Sequence, residues 1–363
     1  MLRSSLRLFG VLAALAIIAS ACSSSDNTAE PATTLAPVTT IAKVAETSTT
    51  STTVAPTTTT TTVPQVEVSD AINGLPADEA LIDRRVVAVK IDNHPKARPQ
   101  SGLEVADVVY EILVEGGVTR FIALFHQSDL DYVGPNRSGR PTDAAVLKAI
   151  DPVFQISGAQ SWVQKVLKAE GIRVLYDNGV TTYRVSHRSA PQNLYTNTFA
   201  IRDRADTKGW DDENPGNLFA FGEPTPGVEI ATRVTIEFSD APPARWEFDG
   251  EKYLRSNGDK PHEWVNRDGE RGRVAFETIV VLKARKYIAA DPAGKGSSVP
   301  AMDTVGKGEA FVFTGGVVVK GTWERGSKSD PFYLSTPAGD EIVLPPSRLW
   351  ISIVPDTRPV TWE

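Results

Sequence analysis

Between Ser23 and Asp70 the chain has no aromatic residue, Thr, Ser, Pro and Ala dominate, and Thr57 to Thr62 is an uninterrupted threonine run. Such a segment cannot bury enough apolar surface to offset the entropy lost on ordering, so it contributes no core. Any globular fold is thereby confined to the residues from Ala71 onward. A flexible chain of this length has a typical end-to-end distance of about 40 Å, and its prolines stretch it further. It reads as a tether. The clustered threonines suit either O-linked sugars or a plain solvated spacer.

What precedes the tether explains its purpose. Arg3 and Arg7 form a positive region, an apolar run from Leu8 to Ala19 follows, and Ala19-Ser20-Ala21-Cys22 places small residues just before the chain's only cysteine. The run is too short to span a bilayer core of about 30 Å as an ordinary helix, and its flanks are those of a signal peptide. The cysteine at the cleavage point resembles the lipobox of bacterial lipoproteins. The resemblance implies a signal peptide over residues 1–21 and lipidation at Cys22, which becomes the new N-terminus, with Ala19 standing where the pattern most often has Leu. The chain is then expected on the exported side of the cell membrane, held there by its lipid. Loss of Arg3 and Arg7 leaves 36 Lys and Arg against 45 Asp and Glu, a formal charge of −9. Lipid rather than a polybasic patch must therefore supply the attachment.

Composition narrows the remaining classes. Hydrophobic residues make up 41% of the 363-residue chain and charged residues 23%, as in soluble globular proteins, which excludes a polytopic membrane protein. One cysteine excludes a disulfide framework, a thiolate zinc site and an iron–sulfur cluster. The acidic balance argues against nucleic acid as a partner, since that ligand rewards a clustered basic surface. No two of His94, His126, His187 and His262 have metal-ligand spacing, so neither a metal nor a cofactor is expected.

The folded part divides near Gly227. Before it, strand-like and helix-like patterns interleave. Val86 to Ile91 is a buried strand, and Val108 to Phe125 is a hairpin around Gly116-Gly117. Pro141 to Ile150, Ser161 to Glu170 and Phe199 to Lys208 are helical, and Val153 to Ser157 and Ile172 to Tyr176 are short strands. The expectation is an α+β or α/β domain over residues 71–227. From residue 228 to 363 the helical period vanishes. Thr232 to Phe238 alternates, and further strands are expected at Arg245 to Phe248, Lys252 to Arg255, Val274 to Lys283, Ala310 to Lys320, Glu341 to Leu344 and Leu349 to Val354. That predicts a mostly antiparallel β domain, a sandwich or a small barrel.

These segments carry a resemblance. Ala97-Arg98-Pro99-Gln100-Ser101-Gly102-Leu103, Ala106-Asp107-Val108-Val109-Tyr110-Glu111 and Val114-Glu115-Gly116-Gly117-Val118-Thr119-Arg120-Phe121 lead into Gly134-Pro135-Asn136-Arg137-Ser138-Gly139-Arg140. With Tyr253-Leu254-Arg255, Gly306-Lys307-Gly308, Gly321-Thr322-Trp323, Leu349-Trp350-Ile351 and Ile353-Val354-Pro355, the pattern resembles the YerB-like lipoproteins, a bacterial family built on a domain of unknown function. The resemblance covers nearly all of Val86 to Pro355 and implies a lipid-anchored surface protein with two domains. It implies no reaction and therefore no catalytic residue.

Two constellations can be argued from the residues themselves. If Gly116-Gly117 is a two-residue hairpin loop, Glu111, Glu115 and Arg120 share one face, with Arg120 diagonal to both glutamates, while Tyr110, Ile112, Val114, Thr119 and Phe121 form the core face. The glutamates, four residues apart on one strand, are about 13 Å apart, beyond the spacing of a paired acid and base. The face is then either a structural ion-pair ladder or a ligand-binding surface. The second constellation is Arg137, Ser138 and Arg140 ahead of the helix near Thr142, which Thr142 or Asp143 would cap, with Arg98 and Gln100 joining from the loop after the first strand. Arginines gathered in this way favour a carboxylate or a phosphate. Alternatively they pair internally with Glu111, Glu115 or Asp143.

Three functions remain open. The chain is a non-catalytic envelope protein that binds cell-wall polymer or another envelope protein, an enzyme acting on a phosphate- or carboxylate-bearing envelope substrate, or a structural scaffold. The first is preferred, because the tether provides reach and no Gly-x-Ser-x-Gly, Ser-x-x-Lys or Walker motif is present.

Overall fold

The computed structural model describes residues 68–363. The expected signal peptide, Cys22 and nearly all of the tether lie outside the described residues. Asp70 is buried, its carboxylate accepts the Ile72 N–H at 3.0 Å, and it lies 2.7 Å from His126 Nδ1.

In the N-terminal part the strands of the large sheet and the α-helices are β1 (Val87–Asp92), β2 (Val108–Leu113), β3 (Thr119–Phe125), α1 (Pro141–Leu147), β4 (Val153–Gln155), α2 (Ser161–Ala169), β5 (Arg173–Leu175) and α3 (Thr198–Thr207), and Thr182–Arg184 pairs with Leu194–Thr196 in a separate two-stranded sheet. Helix α1 is entered through Pro141, whose fixed φ suits a first helical position. Its cap differs from expectation: Arg140 is the N-cap residue, and Asp143 reaches back to accept the Arg140 N–H at 2.7 Å. In α2, Trp162, Val163 and Leu167 form the buried face, as their spacing requires, and Gly171 follows its end at φ +75.

These strands belong to an 11-stranded sheet whose order is Tyr333–Ser335, Val317–Arg325, Gly306–Thr314, Thr278–Ala284, Leu349–Pro355, β2, β3, β1, β4, β5, with Glu229–Ile230 beside Val317–Arg325. β1, β2 and β3 pair antiparallel through β3, whereas β1, β4 and β5 are parallel. The strand Leu349–Pro355 lies parallel to both β2 and Thr278–Ala284, so the end of the chain inserts between its two halves. Its seven residues are all buried, which is why it reads as an almost unbroken apolar run. The C-terminal hairpins are otherwise antiparallel, in keeping with the expected layout. Glu341 to Leu344 is not a strand. Glu341 and Leu344 make only isolated bridges, to Ser335 and Phe221.

Both faces of the large sheet are covered. On one, Ala88, Tyr110, Ile112, Ile122, Phe154 and Ile351 pack against Val146, Leu147, Trp162 and Leu167 of α1 and α2. On the other, Val89, Ile91, Phe121, Ala123 and Trp350 pack against Ile201 of α3 and against a second sheet. That sheet has the order Lys260–Pro261, Tyr253–Asn257, Ala244–Phe248, Arg233–Ile236, Val360–Trp362, and supplies Val234, Ile236, Trp246 and Tyr253.

The β2–β3 hairpin overturns one expectation. Glu115, Gly116 and Gly117 form a three-residue loop closed by Val114 N–H donating to Val118 O, with both glycines at positive φ. Ile112 therefore faces Arg120 and Glu111 faces Phe121, one residue out of the expected register. Side chains alternate along a strand, so this slip moves Arg120 to the helix-covered face and leaves Glu111 and Thr119 on the opposite one. Glu111, Glu115 and Arg120 do not form a common polar face.

Candidate functional site

The polar residues singled out in the sequence separate into two groups, one on each side of the large sheet. The split begins at the end of β1. Asp92 turns toward α1 and α2, while its neighbour Asn93 turns toward the second sheet, because successive residues of an extended chain point to opposite faces.

On the helix side, Lys90, Asp92, Arg120, Arg137, Arg140, Asp143 and Glu115 come together. Lys90 Nζ donates to Asp143 Oδ1 at 2.5 Å, and both side chains are fully buried. Burial pulls the Lys90 ammonium down to about 8; Asp143 opposes the shift, and the charges of Arg120 and Arg140 add to it. Arg140 Nε donates to Glu115 Oε2 at 2.6 Å. Burial would raise the Glu115 carboxyl, but the Arg140 hydrogen bond and charge prevail and lower it. Arg120 lies directly across from Asp92 in register and donates from Nη1 to Ser138 O at 2.7 Å. Burial, followed by repulsion from Arg140, lowers its guanidinium to about 10. Arg137 Nε is 3.2 Å from Asp92 Oδ2 without hydrogen-bond alignment. Ser138 Oγ lies 3.3 Å from Ser157 Oγ, beyond the end of β4.

Four cations thus face three carboxylates in this group, and Arg120 Nε and Arg137 Nε have no hydrogen-bond acceptor among the described residues. Asp143 is committed to Lys90 and to the Arg140 N–H, so it supports the arginines rather than meeting a ligand. Lys90 and Asp92 were missed in the sequence because β1 reads as a buried apolar strand. The available signal was that Ala88, Lys90 and Asp92 occupy alternate positions and so share a face.

On the other side, Glu111 sits at the centre of a buried network. Its Oε1 accepts from Thr119 Oγ1 at 2.7 Å and from Arg255 Nη2 at 2.6 Å, and its Oε2 accepts from Trp350 Nε1 at 3.0 Å. The Arg255 guanidinium lies over the rings of Phe121, Trp246 and Trp350 and donates from Nη1 to Asn257 Oδ1 and His262 Nδ1, each at 2.8 Å. Burial, with the neighbouring charges of Arg255 and Arg98, lowers the His262 pKa well below its ordinary value. Neutral His262 therefore accepts at Nδ1 and donates from Nε2 to Gln100 Oε1 at 2.8 Å. Gln100 Nε2 donates in turn to Asp92 O and Asn93 Oδ1. Arg98 donates to Asn93 through Nε and Nη2.

Arg98 and Gln100 accordingly do not join Arg137, Ser138 and Arg140, and the expected convergence on the start of α1 is corrected. The reason is again the alternation at the end of β1, which sends the loop after it to the opposite side. Of the internal pairings considered, Arg140 with Glu115 is present, and Arg137 takes Asp92 instead. Nothing in the sequence tied Arg255 or His262 to Glu111, from which they are 144 and 151 residues away. Among the described residues no group of three or more His, Cys, Asp or Glu side chains could hold a metal ion.

Comparison with known proteins agrees with this architecture. Family models for the "Protein of unknown function (DUF3048)" match the chain, the N-terminal domain over residues 72–211 and the C-terminal domain over residues 234–351. The chain is 30% identical over 298 residues to "Putative lipoprotein YerB" of Bacillus subtilis (strain 168), a match covering 78% of this chain and 86% of that protein. The crystal structure of YerB from Bacillus subtilis matches with a TM-score of 0.69 at 27% identity, covering 81% of this chain and all of the solved one. On the shared sequence and the shared fold, the chain belongs to the DUF3048 family of YerB-like proteins.

Proposed function

We propose that this chain is an exported protein, lipidated on Cys22, that binds an anionic component of the cell envelope through Arg120, Arg137 and Arg140. The single observation that carries the reading is the unbalanced arginine group, in which two guanidinium Nε–H donors have no acceptor among the described residues. Arg137 and its neighbour Ser138 are half-exposed, so the group meets solvent at its Arg137 edge, where a ligand would enter. A guanidinium presents a planar fork to a carboxylate or a phosphate, and a partly desolvated one holds it more strongly. A binding role also uses the tether, which gives the folded part reach from the membrane. The relative's name supports the membrane attachment, since it describes a lipoprotein.

The test is sedimentation of purified full-length protein with cell-wall fragments carrying carboxylate or phosphate groups. Binding should weaken as salt rises and should fall about tenfold or more in Arg137→Gln, the usual cost of a charge-assisted hydrogen bond. Equal binding by wild type and variant refutes the arginine site and favours a scaffold. Turnover of a wall precursor that is lost in the same variant would favour an enzyme.

A further inference from the structure

On the opposite side of the large sheet, a small cavity of about 80 Å³ lies between the β2–β3 hairpin and the second sheet. Arg98, Glu111, Arg255 and Asn257 line it, and the exposed Pro95 and Pro242 bring its lining out to solvent. Ser239 in its wall donates to Gly117 O at 2.6 Å and ties the hairpin to the second sheet.

Its charges do not balance. Arg98 and Arg255 face the single carboxylate of Glu111, and both oxygens of that carboxylate are already engaged by Thr119, Arg255 and Trp350. Arg98 is bound only by the side-chain and backbone oxygens of Asn93, and no carboxylate among the described residues pairs with it. Arg255 is 1% exposed, yet its Nε has no acceptor among the described residues. Arg98 Nη1 and Asn257 Nδ2 likewise make no hydrogen bond among them. The free donors of Arg98 and Asn257 and one surplus positive charge thus border a space the size of a few atoms, with the buried Arg255 guanidinium in its wall.

We infer that this cavity is a binding site for one carboxylate group, held by Arg98 with help from Arg255 and Asn257. A monoanion neutralises the surplus charge, whereas a phosphate dianion would leave a net negative charge in a largely buried space. The planar carboxylate also matches the guanidinium fork of Arg98, and the volume admits little beyond that group. A small free carboxylate and the C-terminal carboxylate of a peptide share this chemistry. The site is separate from the arginine group on the helix side, and its test does not depend on that reading.

The experiment is calorimetric titration and thermal shift of the full-length protein at constant ionic strength. The probes are acetate, a short alanine-terminated peptide, the same peptide amidated, and inorganic phosphate. Saturable binding of acetate, of the free-acid peptide or of both supports the site and tells which source it serves, provided that the amide does not bind. Arg98→Gln should weaken that binding about tenfold or more. Ala241→Leu, which fills the cavity without touching an ionised group, should do the same. Arg137→Gln should leave it unchanged, which separates this site from the one on the helix side. Absence of binding by either carboxylate, equal binding of phosphate or of the amide, or full binding by both cavity variants overturns the inference.

Discussion

Arg255 and Glu111 meet at 2.6 Å across two sheets, both side chains 1% exposed, with three aromatic rings around the guanidinium. The pair joins β2 to the second sheet, and Trp350 of the last long strand donates to the same carboxylate. One ionic contact therefore ties together three stretches of chain that lie far apart in the sequence. Its value for stability depends on both members being present, because either charge left alone would be buried without a counter-ion.

Arg255→Met should destabilise the protein by about 3–5 kcal/mol, and Glu111→Leu by a similar amount. The double variant should be less destabilised than the sum of the two, since neither orphaned charge remains. Urea unfolding of the four proteins checks this. Additive losses would show that the two side chains act independently.

Stability should fall on acidification through the His262 ring. Its folded pKa is depressed by burial and by the nearby arginines, whereas in the unfolded chain it returns to about 6.5. Below pH 6.5 the unfolded state therefore binds a proton that the native state refuses, and stability is lost as pH falls, by up to about 1.4 kcal/mol per pH unit. Above pH 6.5 this contribution is fully present. Comparing wild type with His262→Gln between pH 7.5 and 5 isolates the effect, and parallel pH profiles would refute it.

The hairpin loop should respond unequally at its two glycines. Gly116 has φ +72 and open space where a methyl group would project, so Gly116→Ala should cost about 1 kcal/mol from backbone strain alone. Gly117 has φ +74, and a Cβ there would sit 3.0 Å from Ser239 Oγ. Gly117→Ala should therefore cost more, and thermal unfolding of the pair should rank them in that order.

Arg137→Ala distinguishes a site from a brace. Its guanidinium is partly exposed and its contact with the buried Asp92 is poorly aligned, so the variant should change the melting temperature little in buffer. It should abolish any stabilisation that an anionic wall fragment gives the wild type, because only ligands of the folded state raise its stability. A loss of about 3 kcal/mol without added anion would instead mark a structural pair.

Cys22→Ala should release the protein from the membrane into the soluble fraction on cell fractionation. Limited proteolysis of the wild type should cut first between Ser23 and Asp70, the segment whose composition lacks aromatic residues, and only later near Gly227. Continued tight membrane association of the variant would overturn the lipid anchor.

Much of the layout was legible in local pattern. The spacing of Trp162, Val163 and Leu167 marks α2, the alternation from Thr232 to Phe238 marks a half-buried strand, and the change of period near Gly227 marks the passage to antiparallel hairpins. Each of these is a contest between neighbours in sequence, which composition and periodicity record. The hairpin shows where that record stops. Glu115-Gly116-Gly117 permits a two- or a three-residue loop, and the choice is made by burial on both sides of the sheet, where Phe121 must meet Trp350 and Ile122 must face the helices. That choice decides which face Arg120 and Glu111 occupy.

The sequence by itself marked Val86 to Ile91 as a buried strand, Leu349 to Val354 as a strand, and a gathering of arginines ahead of α1. Only the tertiary structure decided that Leu349–Pro355 slots between β2 and Thr278–Ala284, and that Glu111 finds Arg255 rather than Arg120. It also decided that Arg98 and Arg137 lie on opposite sides of one sheet. Periodicity reports the environment of a residue but not the identity of the neighbour that provides it. A buried charge accepts whichever partner the packing of distant strands brings within hydrogen-bond reach.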